Sequence, residues 1–246
     1  MVDSTKVALP AAQAFLSGRL EMAENISPGV NGAVAAWADI PANCITAMVF
    51  ALLALATLKS LLNLFPLLLD SLSRWKACLT IDSSVRLKSD RNLLGIIWLM
   101  PIIIIADRYR VFSIGFLDSI PYVRHIAETS ALVIAWLLLR LLSFILCSLR
   151  AKRIETFRTA HKAMFNYLIL LAAVMLASAG IFSLTNVSEL IVRQVIEYEM
   201  AVFYLVAVLR ETQILRTYCS RFQTFLYLCA LEFIPTGILI AGNILL

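Results

Sequence analysis

The chain has 246 residues, of which 61% are hydrophobic and only 15% charged, with a formal net charge of +5 and a mean hydropathy of +0.87. So much apolar surface cannot be hidden in a water-soluble core of this size, so the solvent of this protein is lipid. The basic residues flank apolar runs instead of forming one patch, which points to anionic headgroups as their partners and excludes nucleic acid.

In hydrocarbon every backbone amide must bond internally, which leaves a helical bundle or a closed barrel. The runs are near-continuous in Leu, Ile, Ala and Val and do not alternate, so helices are expected. The predicted fold class is all-α: a polytopic transmembrane helical bundle of about six spans, occupying residues 42–246. No loop is long enough for a separate catalytic domain.

Residues 1–41 form an Ala-rich tail with scattered charge and turn formers. It lacks a basic stretch followed by an unbroken apolar one, so no cleaved signal peptide is expected; a short interfacial helix near 10–23 and a loose tail are both open. The first span follows at 42–69, longer than the roughly 20 residues a bilayer needs. The second run, 93–106, is short: its fourteen residues give about 21 Å against a hydrocarbon core of about 30 Å. Flanking Arg91 and Arg108, snorkelling to opposite surfaces, extend it to 91–108, and Pro101 is expected to kink it. A re-entrant segment is the alternative. Further spans are expected at 129–149, 164–184, 190–209 (polar in its first half) and 222–246.

Charge counting favours six crossings. With all six, the alternating sides collect thirteen Lys and Arg against six, placing both termini outside; without the second, the bias vanishes.

Intramembrane charge marks candidate sites, because each such group is costly in hydrocarbon. Arg140 and Glu232 fall near the middle of their spans, and they are expected to approach each other, since each alone is an unpaired charge. Lys59 lies inside the first run and can snorkel inward. Glu189, Arg193 and Glu197 recur at i, i+4, i+8 and share one helix face. Arg158, His161, Arg216 and Arg221 lie beside spans and are candidates for lipid phosphate. Small residues recur at Ala47, Ala51, Ala54 and at Ala173, Ala177, Gly180, with Gly237 and Ala241 on the last span; they suit close helix packing within the bundle or a homo-oligomer face.

Motifs for phosphate loops, zinc helices and serine hydrolases are absent. The cysteines Cys44, Cys78, Cys147, Cys219 and Cys229 contain no CxxC pair, and neither metal nor cofactor is expected.

The segment LRETQILRTYCSRFQTFLYLCALEFIP, residues 209–235, resembles the C-terminal signature of an integral-membrane family of Bacteroidota without assigned activity, whose members end in an LYLC-x-LE-x-x-P run. The matching residues are Leu226, Tyr227, Leu228, Cys229, Leu231, Glu232 and Pro235. The resemblance covers about forty residues and implies a multi-pass protein of a Gram-negative inner membrane, with both termini periplasmic and Tyr227, Cys229, Glu232 and Pro235 acting as a unit.

The expected role is that of an accessory or scaffold component of the cell envelope, partnered by the bilayer and by an envelope protein or a second copy. The alternative is a small proton-linked transporter using Glu232, although no two similar halves are visible. A lipid-modifying enzyme built on the start of the fifth span with His125 or His161 ranks third.

Overall fold

The computed structural model describes residues 37, 40–112, 125–148, 154–185, 187–217 and 219–245; the possible interfacial helix at 10–23 lies outside them. The described elements are α1 (Pro41–Ser73), α2 (Trp75–Ser83), α3 (Val85–Ile97), α4 (Leu99–Arg108), α5 (His125–Ser148), α6 (Ile154–Thr185), α7 (Glu189–Arg216), α8 (Arg221–Leu228), a π-helical turn (Cys229–Phe233) and α9 (Ile234–Leu245). Among the described residues there is no strand, and the fold is an all-α bundle.

Five stretches are long and apolar enough to cross a membrane: Pro41–Ser73, Val85–Arg108, Ile126–Leu146, Arg158–Thr185 and Arg221–Ala241. The fifth expected span, 190–209, is also one long helix, α7, whose 28 residues rise about 42 Å; charges such as Arg193, Glu197, Glu199, Arg210 and Glu211 keep it out of the apolar set. It lies along α6, its main neighbour in the bundle.

The second run is not short. It begins at Val85, just before the charged sequence RLKSDRN, and continues to Arg108 as a span of 24 residues, about 36 Å of helix. The break between α3 and α4 falls at Trp98, whose ψ is 1°. Pro101 explains it: its ring clashes with the carbonyl of Ile97, four residues earlier, where α3 stops.

Side-chain bonds at the two ends show that this run traverses the bundle. At one end Asp107 accepts hydrogen bonds from the Trp37 indole at 2.7 Å and the Thr129 hydroxyl at 3.1 Å, beside the starts of α1 and α5. At the other, Arg91 bonds Asp82 at 3.2 Å, and Asp82 in turn accepts from Thr159 at 2.7 Å, near the start of α6. Arg210, close to the end of α7, donates to the Leu72 carbonyl at the end of α1. Successive long helices therefore run in alternating directions. The re-entrant alternative falls, and so does the expected snorkelling of Arg91, which is fully buried.

Helix α6 is the axis of the packing. Ala160, Ala163, Tyr167, Ile169, Ala172 and Met175 are buried along it. Gly95 on α3 permits one close approach: a Cβ there would stand 2.7 Å from the Phe165 ring and 3.2 Å from its Cβ. By contrast, α1 is peripheral and turns Ile45, Met48, Leu52, Leu55 and Leu62 outward, which costs nothing in lipid. The small-residue stripes also look outward in part. Ala51, Ala177 and Ala241 are exposed, and a Cβ at Gly180 or Gly237 would meet nothing within 4 Å, so these positions do not pack the bundle interior.

Candidate functional site

Trp136 and Arg140 lie four residues apart on one face of α5. Facing them, Glu232 in the π-helical turn and Thr236 in α9 are also four apart. The Trp136 indole donates to the Thr236 hydroxyl at 3.3 Å, and the Arg140 guanidinium forms an ion pair with Glu232. The expected meeting of Arg140 and Glu232 is therefore observed. The local backbone helps to aim Glu232. Pro235 has no N–H to return to Leu231, and the turn widens so that the Ile234 N–H reaches back five residues to the Cys229 carbonyl.

A third partner, Glu211, completes the cluster, with its Oε1 accepting from Arg140 Nη2 at 2.6 Å. All three side chains are almost wholly buried, at 3% exposure or less. The apolar pattern ends the fifth span at Leu209 and places Glu211 in the loop beyond it. The missed signal is periodic: Ala207, Val208, Glu211, Ile214 and Leu215 form one buried stripe on α7, so a carboxylate stands where the pattern asks for an apolar residue.

One guanidinium thus faces two carboxylates away from water. A guanidinium can serve two acceptors from separate N–H groups, but the formal charges do not cancel. Above the cluster a cavity of about 630 Å³ opens between helices, lined among others by Leu99, Trp136, Met164, Arg193, Tyr204 and Thr236. Its walls are mostly apolar, and Trp136, whose ring centroid lies 6.0 Å from the Arg140 guanidinium carbon, joins it to the cluster.

The other sequence candidates scatter. Glu197 also lines the cavity and accepts from Arg193 Nε at 2.8 Å, four residues away, as the shared helix face predicts. Glu199 turns to α6, where Ser178 donates to it at 3.1 Å. Lys59 is exposed on α1. Of the C-terminal unit, Tyr227 packs against the core, Cys229 opens the π-turn, and Pro235 is buried; only Glu232 enters the cluster. Arg158, Arg216 and Arg221 are exposed at helix ends, in keeping with a headgroup environment. His161 is not: its ring stacks on Phe144 at 4.6 Å and meets Phe165 edge-on at 6.5 Å, which turns it into the helix packing. The His125 side chain lies outside the described residues.

A second polar group sits at the Arg91 end of the bundle. Burial works against ionisation of Asp82, but the hydrogen bond from Thr159 and the Arg91 guanidinium outweigh it and hold the carboxyl below its ordinary value. Nearby, Asn166 donates to the Cys78 sulfur at 3.7 Å and the Tyr167 hydroxyl donates to the Ser71 carbonyl at 3.2 Å. Burial pushes the Cys78 thiol up, so this sulfur is a packing group and no nucleophile.

No family model, no curated protein and no solved structure matches this chain. What the fold establishes is the class: a multi-pass α-helical membrane protein.

Proposed function

We propose that this protein is a non-catalytic component of the bacterial cell envelope, a small polytopic scaffold that anchors or assists a partner in the inner membrane. One observation carries the reading. The buried charges of the described residues serve as ties between helices: Arg140 with Glu211 and Glu232, Arg91 with Asp82, and Asp107 with Trp37 and Thr129. Each joins separate segments, and none leaves a nucleophile beside a base. The C-terminal resemblance supports an inner membrane of Gram-negative type, in a member of the Bacteroidota. The excess of Lys and Arg at the Arg91 end supports a cytoplasmic location for that end and periplasmic termini.

The test is gentle purification of a tagged chain from its native membrane with quantitative mass spectrometry of what accompanies it. A stoichiometric envelope protein is the expected result. Recovery of this chain without any stoichiometric companion, across several mild detergents, would count against the scaffold.

A second reading, proton-linked transport through Glu232, is favoured by one feature: two buried carboxyls share a single guanidinium next to a cavity. A proton placed between the carboxyls balances the charges, and its loss unbalances them. In proteoliposomes holding a pH dye, transport predicts a proton flux in wild type that Glu232→Gln abolishes. Equal, negligible flux in both proteins removes this reading.

A further inference from the structure

Arg91 is fully buried, yet its guanidinium is only partly used. Nη2 donates to Asp82 Oδ1 and to Asn92 Oδ1, each at 3.2 Å. Nε and Nη1 meet no acceptor among the described residues. Asp82 meets only Nη2 of the guanidinium, and its second oxygen accepts from the Thr159 hydroxyl. A buried cation with idle donors costs stability unless an acceptor completes it.

Other cations gather at the same place. Lys88, on α3 with Arg91, acts electrostatically on Asp82. From α6, Lys162 feels the charges of Lys88, Arg91 and Arg158 together, with Asp82 opposing. Arg91 and Lys88 from α3 and Lys162 from α6 thus interact with one carboxylate, and Arg158 acts on Lys162 beside them. They sit in the first turns of α3 and α6, at the end of the bundle that also holds the close of α1 and α7.

We propose that Arg91, Lys88, Arg158 and Lys162 form a binding site for a phosphate group at the basic membrane face, in which Asp82 orients Arg91 and the anion takes up the idle guanidinium donors. Phosphate is the class that suits the set: it offers several strong acceptor oxygens to donors arriving from two sides, and arginine and lysine both recognise it. A lipid headgroup and a free phosphate present the same chemistry.

The test uses the full-length protein purified in detergent and follows its thermal unfolding with increasing dioleoyl phosphatidylglycerol, and separately with inorganic phosphate. The variants are Arg158→Gln/Lys162→Gln, which alters side chains that are exposed or half-buried, and Arg91→Lys, which keeps the charge and loses the planar donors. Saturable stabilisation of wild type is expected, with apparent affinity weakened roughly tenfold or more in the double variant and also reduced in Arg91→Lys. Stabilisation by phosphatidylglycerol alone assigns the site to a headgroup; stabilisation by inorganic phosphate as well assigns it to a free phosphate. The proposal is overturned if neither probe stabilises wild type, or if the double variant binds as wild type does. Should Arg91→Lys fail to fold, the double variant still decides.

Discussion

Arg140 donates to Glu211 across 2.6 Å, tying α5 to a helix 71 residues further along the chain. The same guanidinium holds Glu232, so three segments meet at one cation. Removing the cation leaves two carboxylates buried together, whereas removing either carboxylate leaves a balanced pair. Arg140→Leu is therefore expected to be the most damaging single change at the cluster, costing about 3–5 kcal/mol. Glu211→Gln or Glu232→Gln should cost less. Replacing all three residues with Leu should recover much of the loss, because an apolar core leaves no unpaired charge. Unfolding of the four variants beside wild type in one detergent gives the ranking, and a triple variant worse than Arg140→Leu would refute the charge argument.

At the opposite end of the second run, the Trp37 indole donates to Asp107. Trp37→Phe keeps the ring and deletes one hydrogen bond to a charged acceptor, an expected loss of about 1.5–3 kcal/mol. Asp107→Leu removes the acceptor of both Trp37 and Thr129 and should be worse. Paired denaturation curves measure both.

The Gly95–Phe165 approach gives a sharp contrast with the other glycines. Gly95→Ala forces the ring or the helix to move and should destabilise by about 1–3 kcal/mol. Gly180→Ala meets open space and should stay within about 1 kcal/mol of wild type. Comparing the two melting temperatures under identical conditions checks the prediction; equal shifts would mean that α3 and α6 are not held at this distance.

These cases show what the sequence could reveal. Hydropathy runs located the helices because lipid demands continuous apolar stretches, and the isolated Arg140 and Glu232 stood out for the same reason. Glu211 and Arg91 did not, since each is surrounded by other polar residues that made its helix resemble a loop. Their burial depends on which face of α7 or α3 meets α6, information that lies in packing between distant segments. The outward-facing glycines do not pack this bundle for a related reason: small residues permit close approach but do not create it.

Cys78 is buried and its thiol is raised by that burial, so a maleimide at neutral pH should modify it slowly in the folded protein and rapidly after denaturation. A variant carrying Cys78 as its sole cysteine gives the ratio by mass spectrometry, and an expected protection of roughly tenfold or more accompanies restricted opening. Equal rates before and after denaturation would place Cys78 at the surface.

The Asp82 carboxyl gives the pH prediction. Its ionised form is favoured in the folded chain, where the Thr159 hydroxyl and Arg91 hold it below the ordinary value of 3.8. A depressed carboxylate contributes stability that is fully present above its unfolded value and is lost as pH falls towards the folded one. Wild type should therefore lose part of its stability on acidification below about pH 5. Thr159→Val removes one of the two groups holding the carboxyl down, so the stabilisation at neutral pH shrinks and the acid loss becomes shallower. Asp82→Asn should lower stability at neutral pH and flatten the acid limb further, because no charge remains to be titrated. Melting temperatures between pH 3 and pH 7 for the three proteins separate these slopes. An acid limb in Asp82→Asn as steep as that of wild type would assign the pH dependence to other carboxylates and leave Asp82 without the electrostatic role that its contacts with Arg91 and Thr159 imply.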